Sequence, residues 1–248
     1  MRAITSAVTG TSIEYPESDG KPMAETDVHI DALIYVRETL KAYFEAEPLV
    51  YVAGNMLLYY EEENPAACVA PDVFVVRGVP KQERRTYKLW EERHAPTVIF
   101  EITSRSTRLE DLRTKRFLYA QLGVQEYFLY DPLGEYLRPS LQGYRLHDGE
   151  YERITVGPNA SLVSEALGVT LVLENGRLRV VDPKTGERLL TPAEAYTARR
   201  VAEVRAQVAE VRVREESTQR QAAEARAAHA EAELVRLRAE MVRLRKGE

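Results

Sequence analysis

Residues 97–103, TVIFEIT, form a β-branched, apolar run that predicts a buried strand. Alternation along it sets Val98, Phe100 and Ile102 on one face and Ile99, Glu101 and Thr103 on the other. Polar and apolar positions then change to a helical period over residues 108–122. Asp111, Leu112, Lys115, Leu118, Tyr119 and Leu122 fall within roughly 120° of one face. Arg113, Thr114, Arg116 and Gln121 oppose them, while Phe117 sits on the polar side and leaves the rotation open. Gly123 stops the helix, and residues 125–130 read as a second buried strand closed by Asp131-Pro132.

Upstream, Thr26 or Asp27 caps a helix over residues 27–46 with the stripe Ile30, Leu33, Ile34, Leu40 and Phe44. Strands are predicted over 49–53, 56–60 and 72–76, the first two joined by a tight Gly54-Asn55 hairpin. Residues 1–23 read as an irregular arm, and residues 77–96 as a polar loop whose Trp90 caps the core, with stacking on a base as the alternative. Over 135–190, turns at Gly143, Asp148-Gly149, Asn175-Gly176 and 184–186 predict antiparallel additions covering a sheet edge. Pro192 suits a helix start, and residues 193–246 hold neither Gly nor Pro. Val201, Val204, Val208 and Val211, and Leu234, Leu237, Met241 and Leu244, follow 3-4 spacings. So thin a stripe needs a partner helix, which predicts a coiled coil and a homo-oligomer, a dimer in the simplest case; a solvated single helix is the alternative.

Composition narrows the class. The 248 residues are 44% hydrophobic with no apolar run of membrane-spanning length, and no signal-peptide layout opens the chain. A single cysteine, Cys68, excludes an internal disulfide, fits a reducing cytoplasm and argues against structural zinc. The net charge of −5 is unfavourable for binding phosphates, yet residues 81–116 hold ten Lys or Arg against six Asp or Glu. Arg84, Arg85, Lys88, Arg105, Arg108, Arg113 and Arg116 are therefore candidates for nucleic-acid contact, or an ordinary solvated surface.

Three features ask for chemistry. Glu101 lies within a buried strand, where a carboxylate needs a partner or a metal. Asp111 and Lys115 lie one turn apart on an apolar face, as part of a site or as a plain i,i+4 ion pair. Asp72 follows Pro71 at the start of a strand. Asp72 and Glu101, followed by D-x-x-x-K-x-x-x-Y-x-x-x-G-V-x-E-Y-x-x-x-D on Asp111, Lys115, Tyr119, Gly123, Val124, Glu126, Tyr127 and Asp131, resemble the Uma-two family of the PD-(D/E)xK nuclease superfamily.

The resemblance spans roughly residues 25–132. It implies an α/β fold, a restriction-endonuclease-like mixed sheet flanked by helices, in which the strands bearing Asp72 and Glu101 splay at one end. It implies a Mg2+- or Mn2+-dependent endonuclease acting on nucleic acid, DNA foremost. Asp72, Glu101 and the Ile102 carbonyl would hold the cation. Position 103, where the superfamily places its lysine, is Thr, so Lys115 would take over that role. Asp111 would orient Lys115 and Tyr119 would support it. Glu25 and His29 could reach the site from the first helix, a surface pair being the plainer reading. The alternative function is a non-cleaving nuclease-fold binding module that oligomerises through its coiled coil. The expected division is an arm over 1–24, a nuclease domain with β extension over 25–190 and a helical tail over 192–248.

Overall fold

A computed structural model describes residues 13–18, 20 and 26–246. The chain divides into two units, Met1–Pro192 and Ala193–Glu248. In the first, α1 (Asp27–Tyr43) begins at Thr26, whose side chain accepts the His29 N–H. It is followed by β1 (Val50–Ala53), β2 (Leu58–Tyr59), β3 (Cys68–Val69), β4 (Val73–Arg77), β5 (Tyr87–Lys88), α2 (Leu89–Glu92) and β6 (Val98–Ile102). A π-helical stretch, Glu110–Lys115, runs into α3 (Arg116–Gln121), and β7 (Glu126–Tyr130) follows. Then come β8 (Leu141–His147), β9 (Glu150–Arg153), β10 (Leu162–Ser164), β11 (Val169–Glu174) and β12 (Arg177–Val181).

The principal sheet has the order β1-β4-β6-β7-β8-β9. Only β6 and β7 run parallel within it, because the helix between them carries the chain back to the same end. This is the expected mixed α/β sheet. The alternation read along residues 98–102 divides two buried clusters. Val98, Phe100 and Ile102 join Tyr35, Val36, Leu40 and Phe44 of α1, together with Leu162, Val169, Leu171, Leu178 and Val180. Ile99, Phe74, Val76, Tyr127 and Leu129 join Tyr119 and Val124 on the opposite face.

Several expectations require correction. Gly54-Asn55 makes no hairpin: β1 pairs with β4, while β2 leaves for a small sheet of order β3-β2-β5. The first helix stops at Tyr43, and Ile30 and Ile34 are exposed; its buried face is carried by His29, Tyr35, Val36, Thr39 and Leu40. The supposed loop 77–96 contains β5 and α2, and Trp90 lies against Tyr15 at 5.2 Å. Gly143 is mid-strand, where a Cβ would stand 2.8 Å from the Phe128 ring. The additions do more than cover an edge. β8 and β9 extend the main sheet, while β10–β12 form a second sheet whose apolar face completes the α1 cluster.

The second unit carries all but the first residue of α4 (Pro192–Lys246), a helix of 55 residues and so about 80 Å long. Its valine stripe and Leu234, Leu237 and Met241 are exposed in the single chain; the Leu244 side chain lies outside the described residues. Pairs Arg199–Glu203, Arg212–Glu216 and Arg220–Glu224 brace it at i,i+4. Among the described residues no helix is long and apolar enough to cross a membrane.

Candidate active site

The β4–β6 register runs Val73↔Phe100, Phe74↔Ile99, Val75↔Val98, so Asp72 lies across from Glu101 where main-chain pairing ends. In place of the next ladder bond, Asp72 Oδ2 accepts the Ile102 N–H at 2.6 Å. An extended residue presents N–H and C=O to the same strand edge, so the Ile102 carbonyl faces this break too. The turn at Asp72 is pinned from β1. Asn55, at φ 52°, donates its N–H to the carbonyls of Pro71 and Asp72 at 3.0 and 3.1 Å. Gly54 is required by close approach, since a Cβ there would lie 2.7 Å from the Asp72 carbonyl oxygen.

Glu101, 1% exposed, receives the Tyr119 hydroxyl on Oε1 at 2.6 Å, and Lys115 Nζ stands 3.1 Å from its Oε2. The same ammonium is 3.0 Å from Asp111 Oδ1, whose side chain is equally buried. Asp111, Lys115 and Tyr119 thus lie on one helical face as their spacing predicts, with Phe117 exposed opposite. The π-helical start supplies that face, and such wide turns gather at functional sites. The Tyr127 hydroxyl fixes it to β7 by donating to the Asp111 carbonyl at 3.0 Å. From α1, His29 Nε2 reaches within 3.6 Å of Asp72 Oδ1 and is buried. Glu25 lies outside the described residues.

Burial dominates the electrostatics. It pushes the Glu101 carboxyl up to about 8, against Lys115 and the Tyr119 hydrogen bond, with Asp72 and Asp111 adding to the rise. Asp111 is raised, again chiefly by burial. Burial disfavours the Lys115 ammonium, but Glu101, Asp111 and Asp72 more than offset that and hold it firmly cationic. Two buried carboxyl groups, Glu101 and Asp111, therefore share one ammonium, and Asp72 adds its charge from nearby, leaving acidic oxygens in surplus in a poorly solvated place.

That donor chemistry suits a hard divalent cation. Among the described residues no three His, Cys, Asp or Glu side chains are grouped as a complete cage. Two carboxylates and one main-chain carbonyl nevertheless fit Mg2+, which keeps several of its own waters.

The predicted basic residues scatter. Arg84 faces inward, bidentate to Glu92 at 2.7 and 2.9 Å and 4.3 Å above the Tyr51 ring, so it is committed to packing. Arg85 pairs with Glu17 and Lys88 with Glu91, both at the surface. Arg116 donates to the Tyr151 carbonyl. Arg105 and Arg113 are exposed, and the Arg108 guanidinium stands 5.7 Å over Tyr136. Only Arg105 and Arg108 directly follow the strand of Glu101.

Two signature residues prove structural. Glu126 accepts from Arg145, from the Ser164 hydroxyl and from the Glu165 N–H, joining β7 to β8 and β10. Asp131 accepts the N–H groups of Leu133, Gly134, Tyr136 and Leu137, building the turn after β7.

The family model of Uma2, described as "Putative restriction endonuclease", matches residues 6–176, more than half of the chain. The chain belongs to the Uma2 family. Asp72, Glu101 and Lys115 all lie within the Uma2 span, as do β1–β11. A solved protein from Anabaena variabilis ATCC 29413, described as "a putative nuclease belonging to DUF820", is similar at 16% identity and a TM-score of 0.44. The match covers 59% of this chain and 76% of that one. No curated protein matches.

Proposed function

We propose that this Uma2 protein is a divalent-cation-dependent endonuclease that hydrolyses phosphodiester bonds in DNA. The observation that carries the reading is the surplus of carboxyl groups around the single ammonium of Lys115: Glu101 and Asp111 buried against it, and Asp72 partly exposed beside them. The family description, "Putative restriction endonuclease", supports DNA as the substrate.

In this reading Asp72, Glu101 and the Ile102 carbonyl hold Mg2+ or Mn2+. The bound cation supplies Lewis acidity to a phosphoryl oxygen and to water. Lys115 offsets the negative charge that grows on the phosphoryl oxygens at the transition state. Asp111, 3.0 Å from Lys115, positions that ammonium, and the Tyr119 hydroxyl orients the Glu101 carboxylate. His29, beside Asp72, braces the second carboxylate from α1.

The test pairs calorimetric titration of Mn2+ with single-turnover cleavage of duplex and single-stranded DNA. Wild type should bind the cation and cut only in its presence. Asp72→Ala and Glu101→Ala should lose both properties, because one carboxylate holds a hard cation weakly. Lys115→Ala should keep cation binding and lose turnover by roughly two to three orders of magnitude, as for other removed charge stabilisers. A wild type that binds no cation at millimolar concentration would sink the reading. Cation binding without cleavage of any nucleic acid would leave the non-cleaving module, to which the −5 net charge and Thr103 already point.

A further inference from the structure

Beside the carboxylates lies a cleft of about 520 Å³, lined among others by His29, Thr103, Ser104, Arg105, Ser106 and Tyr136. No carboxylate lines it; hydroxyls, an imidazole and a guanidinium do. Thr103 is 2% exposed, and its Oγ1 has no hydrogen-bond partner among the described residues. A hydroxyl stripped of water and left unpaired is costly to maintain unless something docks against it.

Two further observations give this hydroxyl a setting. The Thr103 N–H continues the strand ladder, donating to the Tyr130 carbonyl at 2.7 Å, which holds the residue on the face of Glu101. The Ser104 N–H donates to Thr107 Oγ1 at 3.1 Å, and the Ser104 and Ser106 hydroxyls meet at 2.9 Å, so the loop is internally braced. Arg105 is exposed at the rim, and the described residues include no ion pair that occupies it. Arg108, packed over Tyr136, adds a second positive charge beside the cleft.

We infer that this cleft is a phosphate subsite, in which Thr103 Oγ1 and the Arg105 guanidinium grip a backbone phosphate of the nucleic-acid substrate. Acceptor oxygens on an anion complement a buried hydroxyl donor and a free guanidinium through charge-assisted hydrogen bonds. The subsite lies two residues along the strand from Glu101, about 6.6 Å. It therefore receives a phosphate neighbouring the one to be cut. Threonine stands at position 103 to hold the strand of nucleic acid, while Lys115 acts from the helix. The inference rests on the proposed nuclease reading but can be tested apart from it.

The experiment uses the full chain and a fluorescein-labelled twelve-nucleotide DNA in calcium, read by anisotropy, for wild type, Thr103→Val, Thr103→Ser and Arg105→Gln. Thr103→Val and Arg105→Gln should each weaken DNA binding roughly tenfold, the scale of one hydrogen bond to a charged group. Thr103→Ser should bind like wild type. Arg105→Gln should also lower the salt slope by about one. Calorimetric Mn2+ affinity should stay unchanged in all three and no melting temperature should fall, that of Thr103→Val rising as the unpaired hydroxyl is removed, which separates the subsite from the cation site and from loss of folding. DNA binding equal to wild type in both Thr103→Val and Arg105→Gln overturns the inference, as does a wild type that binds no DNA. A wild type that never cleaves, yet whose DNA binding depends on Thr103 and Arg105, refutes the nuclease reading and leaves the subsite standing.

Discussion

Replacing Lys115 with Met isolates the buried charge cluster. Methionine keeps much of the apolar stem and removes the ammonium that lies 3.1 Å from Glu101 Oε2 and 3.0 Å from Asp111 Oδ1. At such distances and an effective dielectric constant of about 20, each attraction is worth ~5 kcal/mol before desolvation. Against this stands the several kcal/mol needed to dehydrate each ion, so the pair itself contributes far less than that sum. Deleting one partner is different, because the dehydrated carboxyls stay behind. The cost is then ~3–5 kcal/mol, a large share of a domain's usual 5–15 kcal/mol of stability.

The stranded carboxyls can escape by taking up protons, so the loss must depend on pH. Removing the cation raises the folded-state pKa values of Glu101 and Asp111 still further above their unfolded values. The penalty is therefore largest above those values and shrinks as pH falls. Urea unfolding followed by circular dichroism at pH 8 and pH 5.5 measures it. Lys115→Met should lose ~3–5 kcal/mol at pH 8 and less than half of that at pH 5.5. Adding Glu101→Gln should restore ~1–3 kcal/mol at pH 8, since a neutral amide no longer needs the ammonium. A loss below about 1 kcal/mol at pH 8, the worth of a surface pair, or an equal loss at both pH values, would refute the reasoning.

Without added divalent cation, wild-type stability should fall as pH rises from about 5 to 8.5. The folded Glu101 pKa of about 8 exceeds its ordinary 4.5, so this contribution is complete below 4.5 and lost as pH passes 8. Thermal melts with and without millimolar Mg2+ should show the cation reversing the trend, and Glu101→Gln flattening it. Asp131→Asn should cost ~2–3 kcal/mol in urea unfolding, because its carboxylate is the acceptor for four N–H groups of one turn. A chain ending at Pro192 should melt cooperatively, since both buried clusters lie before that residue. Light scattering should report a dimer for the full chain and a monomer for the shortened one; two monomers would reject oligomerisation through α4.

Sequence alone determined what depends on short-range periodicity. The alternation over residues 98–102 assigned each apolar side chain to the correct one of two clusters. Helical spacing put Asp111, Lys115 and Tyr119 on one buried face, and Gly123, at φ 78°, ended the helix as read. These patterns are local, and a strand or helix fixes them however it later packs. Pairing between distant strands is not local. Gly54-Asn55 has the composition of a hairpin, but β1 gains more by pairing with Phe74, Val75 and Val76, three buried residues of β4, and the turn serves instead to clasp Asp72. Likewise Ile30 and Ile34 look like core, yet the second sheet covers a different side of α1 and leaves them outside. Whether Arg84 met solvent or Glu92, and that His29 would reach Asp72, could not follow from spacing, because each partner arrives from another element. Only the tertiary structure decided that Lys115 must serve Glu101 and Asp111 together, since the strand and helix that carry them meet across the sheet face.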